Sequence, residues 1–288
     1  MAGADIATVL LMIGAKDQVI GVGESIKKDP QIYPYYQEIE SLGDSSTLNP
    51  EQLVSLNPDL LLVYASSQPS NLENLKKTGV PIGYFDCYKQ NRLVEDIQAL
   101  GIITGKKEKA DELAEYIDSV TTLVKNRVAK ISPDLRPKVY FELGDYTAAA
   151  NQSGGDWLIT TAGGRNIAEN STVQWVKVTP EWIISQNPDI IIKNGYSEPG
   201  KDLSDIYAQV ANRSGFNTIQ AVNSHHLYVI SSDMLYGAQS CIGLLYVAKV
   251  IHPDLFADID PNKYLDEFSR RYYPEGNASP ILYPPILK

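Results

Sequence analysis

The chain says nearly the same thing twice, 130 positions apart. One stretch reads Asn49-Pro50-Glu51-Gln52-Leu53-Val54-Ser55-Leu56-Asn57-Pro58-Asp59, the other Thr179-Pro180-Glu181-Trp182-Ile183-Ile184-Ser185-Gln186-Asn187-Pro188-Asp189. Apolar runs follow, Leu60-Leu61-Leu62-Val63 and Ile190-Ile191-Ile192. Each copy has the same local physics. Pro50 and Pro180 suit the first helical position, where a missing N–H costs nothing. Glu51 and Glu181 fall in the first turn, where the helix dipole favours a carboxylate. The residue before Pro58 or Pro188 avoids the helical region, so the helix stops there. The continuous apolar run reads as a strand buried on both faces. The separation is too long for a solenoid unit of roughly 20–50 residues and matches a domain. Two similar lobes are expected, with a ligand cleft between them, because ligands favour domain interfaces.

The rest of the pattern alternates strand and helix, which places both lobes in the α/β class with mainly parallel, Rossmann-like sheets. In the first lobe, helices are expected over 5–13, the first repeat and 72–77, with strands over 18–23, 60–64 and 80–85. Apolar positions Ala110, Leu113, Ile117, Val120 and Val128 recur at helical spacing, predicting one long helix over 106–131 that ends at Ser132-Pro133. The second lobe is expected to carry strands over 138–143, 190–193 and 227–230. Its helices are placed over 156–162, the second repeat, 203–210, 237–251 and 261–272, and its Pro-rich tail from 274 is expected to be irregular. The organisation expected is therefore 1–105 as a first lobe, 106–132 as a linker helix and 133–288 as a second lobe.

Composition narrows function. A net charge of −10 argues against a nucleic-acid partner, which needs a basic face. No run of about 18 apolar residues is present to span a membrane, and 6–13 lacks the basic flank of a signal peptide. Cys87 and Cys241 read as unpaired thiols. Asn151, Asn170, Asn212 and Asn277 head Asn-X-Ser/Thr triplets, little more than chance supplies. Three histidines, His225, His226 and His252, are too few and too scattered for a bare metal site. No Gly-rich phosphate loop and no cysteine cluster for an iron–sulfur centre is visible.

Several segments in order carry a resemblance: Gly14-Ala15-Lys16-Asp17-Gln18-Val19-Ile20-Gly21-Val22, both Pro-Glu…Asn-Pro-Asp units, and Leu100-Gly101-Ile102-Ile103-Thr104-Gly105 before the long helix. Ala162-Gly163-Gly164-Arg165-Asn166-Ile167 and Ala248-Lys249-Val250-Ile251-His252-Pro253-Asp254-Leu255-Phe256 complete it. The chain resembles the substrate-binding proteins of ABC importers for iron chelates, haem and corrinoids, the class with a rigid helix between lobes. The resemblance implies an extracytoplasmic, monomeric, non-enzymatic protein that captures a metal chelate (ferric siderophore, haem or corrinoid) and delivers it to a permease dimer. It implies no cofactor, no catalytic residue and no protein-bound metal. Glu51 and Glu181 are then the expected contacts to permease arginines. One departure stands out: the family places a strand before its first helix, and here only Met1-Ala2-Gly3 precede it, so either the first lobe lacks that strand or the segment carrying it, with any export signal or anchor, has been removed from this sequence.

Ligand contacts are expected on loops at the carboxyl ends of strands. In the first lobe these are Glu24, Tyr33, Tyr64, Ser66, Tyr88 and Lys89. In the second they are Tyr146, Trp157, Trp175, Tyr196, Met234 and Tyr236. The chain has 18 Tyr against 5 Phe, and Tyr presents a flat apolar face with a polar tip. Each aromatic alone reads equally as core packing, whereas the set suits a large, flat, amphipathic ligand. In the family's corrinoid binders an aromatic ends the first-lobe strand, as Tyr64 does, and a Trp precedes the second repeat, as Trp175 does. Anionic siderophores would want cations, for which Lys27, Lys28, Lys89 and Arg92 are at hand. Two other readings stay open: a chelatase- or nitrogenase-like two-lobed enzyme, and a surface interaction module with no small ligand.

Overall fold

The apolar run after Met1-Ala2-Gly3 folds as helix α1 (Ala4–Met12), burying Ile6, Val9, Leu10 and Met12. It stops where Gly14 turns left-handed at φ +74°, a conformation that suits glycine. The computed structural model describes residues 1–30, 32–195, 202–274 and 282–285. The chain divides into two units: Met1–Ile117 with Tyr272–Pro274, and Asp118–Arg271 with the described residues after Pro274.

The first unit continues through β1 (Gly21–Val22), α2 (Glu24–Lys27), α3 (Tyr33–Tyr36), β2 (Glu40–Ser41), α4 (Pro50–Ser55), β3 (Leu61–Tyr64), α5 (Leu72–Lys76), β4 (Ile82–Phe85) and α6 (Leu93–Ile103). β1 pairs in parallel with β2, and β3 with β4. The strand expected over 18–23 is shorter, because Lys16–Gln18 close a 3₁₀ turn first. Met1 and Ala2 join the two strand pairs through the main chain. The Met1 amino group donates to Gly21 O at 2.7 Å and Gly23 N to Met1 O at 2.8 Å. On the other side, Ala2 N donates to Leu62 O at 3.0 Å. Leu42, Leu48, Leu53, Leu61, Val63 and Leu75 pack as the core of this unit.

Helix α7 (Lys107–Val128) has 22 residues, about 33 Å at the usual rise. Its buried positions include Ala110, Leu113, Ile117, Val120, Val124 and Val128, the stripe expected from the spacing. The boundary between units falls inside it.

The second unit comprises β5 (Lys138–Glu142), β6 (Thr147–Ala149), α8 (Gly154–Thr161), β7 (Arg165–Asn166), β8 (Trp175–Lys177), α9 (Pro180–Gln186), β9 (Ile190–Gly195) and α10 (Leu203–Ala211). Then come α11 (Gln220–Asn223), β10 (Leu227–Ser231), α12 (Ser240–Ile251), α13 (Pro261–Tyr272) and β11 (Leu282–Tyr283). The strand order is β11-β10-β9-β5-β6-β8, with β7 also on β5. The β9–β10, β5–β9 and β5–β7 pairs are parallel, whereas β5–β6, β6–β8 and β10–β11 are antiparallel. The longest ladders are parallel, as expected, and short antiparallel strands extend that centre. The tail expected to be irregular is corrected, since Leu282 and Tyr283 pair with Ile230 and Val229.

Both repeats fold alike. Asn49 caps α4, accepting from Glu51 N and Gln52 N, and Thr179 caps α9, accepting from Trp182 N. Asn57 and Asn187 end the helices in the left-handed region, at φ +47° and +44°, which Asn enters more readily than other side-chain-bearing residues. In the second copy, Asp189 Oδ2 accepts from Lys138 N at 2.7 Å, tying the end of the repeat to the start of β5. Ile190, Ile191 and Ile192 are buried as anticipated.

Candidate functional site

In the first unit, β3 and β4 run in parallel and end side by side, so the residues just beyond them meet. Tyr64, Ser66, Tyr88 and Lys89 form one cluster there. Tyr64 and Tyr88 stand edge to face, with centroids 5.2 Å apart at 86°. The Ser66 and Tyr88 hydroxyls lie 2.5 Å apart, and Ser66 Oγ also donates to Asp86 Oδ1 at 2.9 Å. Lys89 Nζ sits 3.1 Å from Asp86 Oδ2 and 5.7 Å from the Tyr88 ring centroid. Asp86 is itself placed by its backbone N–H, which donates to buried Asp96 at 2.6 Å. The Tyr64 hydroxyl donates to Asp5 Oδ2 at 2.7 Å. Burial, and then the neighbouring Asp5, push the Tyr64 phenol well above the ordinary tyrosine range, so it stays protonated. Asp5, Asp86 and Asp96 were not anticipated. Asp86 was legible as the residue directly after a strand, whereas Asp5 lies 59 positions from its partner.

Glu24 and Tyr33 are not part of this cluster. Glu24 opens α2, paired with Lys28 at 3.1 Å, and Tyr33 opens α3, 43% exposed.

In the second unit, Glu142 ends β5 and Lys193 lies beside it on β9. Glu142 is 1% exposed and accepts bidentately from Arg213, at 2.8 and 2.9 Å. Lys193 Nζ stands 3.0 Å from the same carboxylate. Arg213 also reaches Asp145 at 2.8 Å, and its guanidinium stacks 4.4 Å from the Tyr146 ring centroid. Burial alone would raise the Glu142 carboxyl, but Arg213 and Lys193 together outweigh it and hold the group below the usual carboxylate range. This network fixes the β5–β6 turn that carries Tyr146, whose φ is +55°. No local sequence signal pointed to Arg213, which is 71 positions from Glu142.

The other residues proposed for this unit spread over three places. Trp175 opens β8 opposite Ala149, at the far end of the β6–β8 ribbon from Tyr146. Trp157 lies in the first turn of α8, whose cap is Ser153. Tyr236 packs against the start of α8, where a Cβ on Gly154 would come within 3.1 Å of its ring. Met234 is 5% exposed, and its carbonyl lies where a side chain on Gly243 would go. Tyr196 lies outside the described residues.

Glu51 and Glu181 are exposed in the first turns of α4 and α9. Among the described residues neither carboxylate takes part in an ion pair or a side-chain hydrogen bond. Cys87 and Cys241 are free and buried. The His252 ring lies 3.1 Å from Gly163 O, and burial lowers its pKa. Among the described residues no group of three His, Cys, Asp or Glu side chains is placed to hold a metal, and no helix is long and apolar enough to cross a membrane.

Comparison with known proteins identifies the family. The family model described as periplasmic binding protein matches residues 2–234. The uncharacterized ABC transporter substrate-binding lipoprotein YvrC of Bacillus subtilis is 25% identical over 256 residues, 85% of this chain and 77% of that protein. A cobalamin-binding protein of Halobacterium salinarum is 31% identical over 238 residues, 77% of this chain, which spans 62% of that protein's length. The TroA-like periplasmic binding protein FepB from Veillonella parvula superposes with a TM-score of 0.81 at 23% identity, covering 96% of this chain and 89% of that one. Molybdate-bound MolA of Haemophilus influenzae also gives 0.81, at 19% identity, over 97% and 93%. These structures share the two-lobed α/β fold. The chain belongs to the periplasmic binding protein family.

Proposed function

We propose that this protein captures a corrinoid, or a metal chelate equally poor in negative charge, and delivers it to an ABC permease. Membership of the family makes it an extracytoplasmic solute-binding protein. The reading as a non-catalytic monomer, exported or held at the outer face of the membrane, goes with that. The observation that carries the ligand class is how the cations near the strand ends are occupied. Lys89 is paired with Asp86, and Arg92 with Asp96 at 3.2 Å and Glu95 at 3.6 Å. Lys28 is paired with Glu24, and Lys27 donates to Gln37 O at 3.3 Å. In the second unit, Lys193 and Arg213 are taken up by Glu142 and Asp145. A multiply anionic ferric siderophore, or haem with its two propionates, would have to displace these carboxylates to gain a counter-ion from any of them except Lys27, which holds only a carbonyl oxygen. Tyrosine rings with polar rims instead suit a flat, amide-edged, neutral ligand. The halobacterial cobalamin-binding relative supports this choice. Tyr64, Ser66, Tyr88 and Lys89, with Tyr146, Trp157, Trp175 and Tyr236, are the proposed contacts.

The experiment is titration with cyanocobalamin, haem and a ferric catecholate, followed by quenching of Trp157, Trp175 and Trp182. Saturable quenching by cyanocobalamin alone is expected. Binding of none of them overturns the reading, and preferential binding of the catecholate overturns the ligand class. We propose Glu51 and Glu181 as the permease contacts, two exposed carboxylates on equivalent helices for a two-subunit partner. Reversing both to Arg should abolish uptake and leave ligand affinity unchanged. Loss of affinity would contradict the docking role.

A further inference from the structure

The Tyr64 ring is held on three sides before any ligand arrives. Its hydroxyl donates to Asp5 Oδ2 at 2.7 Å. The Tyr88 ring meets it edge-on. Gly3 lies against the ring so closely that a Cβ there would stand 2.8 Å from Cε1, so a larger residue would push the ring away. Asp5 sits in the first turn of α1 and reaches across to the end of β3. A side chain ordered in advance spares the complex the entropy of ordering it on binding. We infer that Asp5 is a positioning residue for ligand binding, its carboxylate fixing Tyr64 as a preset aromatic platform at the end of β3.

The inference rests on the solute-binding reading above. It competes with a plainer role, since a carboxylate in a first helical turn also stabilises the helix through its dipole. The two roles separate experimentally. Asp5→Ala removes the acceptor, Tyr64→Phe removes the donor, and Asp5→Asn keeps an acceptor oxygen while removing the charge. If the hydrogen bond positions the ring, Asp5→Ala and Tyr64→Phe each weaken cyanocobalamin binding about 5- to 10-fold. The double variant is then no weaker than either single one, and Asp5→Asn stays within about twofold of wild type. A helix-dipole role instead lowers Tm equally in Asp5→Asn and Asp5→Ala and leaves affinity untouched. That result, or additive losses in the double variant, overturns the inference. A ligand-free readout keeps the inference apart from the function it rests on. Three-bond couplings of labelled Tyr64 should report one χ1 rotamer in wild type and Asp5→Asn, and averaging in Asp5→Ala. If wild type binds none of the probes, the solute reading fails and the couplings alone decide; averaging already present in wild type refutes the preset platform.

Discussion

Replacing Arg213 by Met should destabilise the second unit by about 3 kcal/mol. Arg213 is 8% exposed and its bidentate partner Glu142 is 1% exposed, so the substitution leaves a buried carboxylate short of its main counter-ion. Removing one partner of a buried pair costs about 3–5 kcal/mol. The lower end applies because Lys193, 7% exposed, remains 3.0 Å from Glu142. At about 2–4 °C per kcal/mol for a unit of this size, Tm should fall by about 6–12 °C, read by near-UV circular dichroism at pH 7. The pH dependence carries a second check. With Arg213 present the Glu142 pKa is depressed, so its contribution is present above the unfolded value and is lost as pH falls through the folded one. Without Arg213, burial dominates and the carboxyl takes up a proton more readily. The penalty should therefore shrink as pH falls through the carboxylate range. A loss under about 1 kcal/mol at pH 7, or a penalty that grows in acid, would refute this account of the network.

Other substitutions test the fold locally. Asn57→Ala should cost about 1 kcal/mol for a left-handed residue whereas Asn57→Gly should not, both read as Tm. At the equivalent position Asn187→Gly should cost about 1 kcal/mol, because Asn187 Oδ1 also accepts from Gln220 N at 2.8 Å. Gly243→Ala should sharply lower soluble yield and Tm, since its Cβ would fall 1.8 Å from Met234 O and backbone must move to admit it. The Asp258 carboxyl, hydrogen-bonded by Arg127, should titrate at about 2 by NMR and return to the ordinary aspartate range in Arg127→Met. Whatever that pair contributes to stability is therefore kept at neutral pH and lost only as pH falls toward 2.

What could be read in advance was local. Pro50 and Pro180 at helix starts, Asn57 and Asn187 at helix stops, and the apolar runs after them each carry their own conformational reason, so both repeats and α7 were legible. The antiparallel additions were not. β6, β8 and β11 are two or three residues long, too short to show alternation, and the Pro-rich tail masked β11. Helix α6 was also missed, because its apolar residues precede the stronger signal of α7. At the site, Tyr64, Ser66, Tyr88 and Lys89 were placed together because parallel strands end together. Asp5, which holds Tyr64, was not legible, and neither was the Arg213–Glu142 pair of the second unit, because each pair meets only through tertiary folding. Met234 looked like a strand-end contact yet turns inward against α12.

The most direct test of the central claim is calorimetric titration with cyanocobalamin at low and high salt and at two temperatures. If tyrosine platforms hold a neutral ligand while the nearby charges stay paired with one another, the result is one site with a negative heat-capacity change and an affinity that salt barely alters. No heat of binding, or an affinity that falls tenfold or more with added salt, would contradict it.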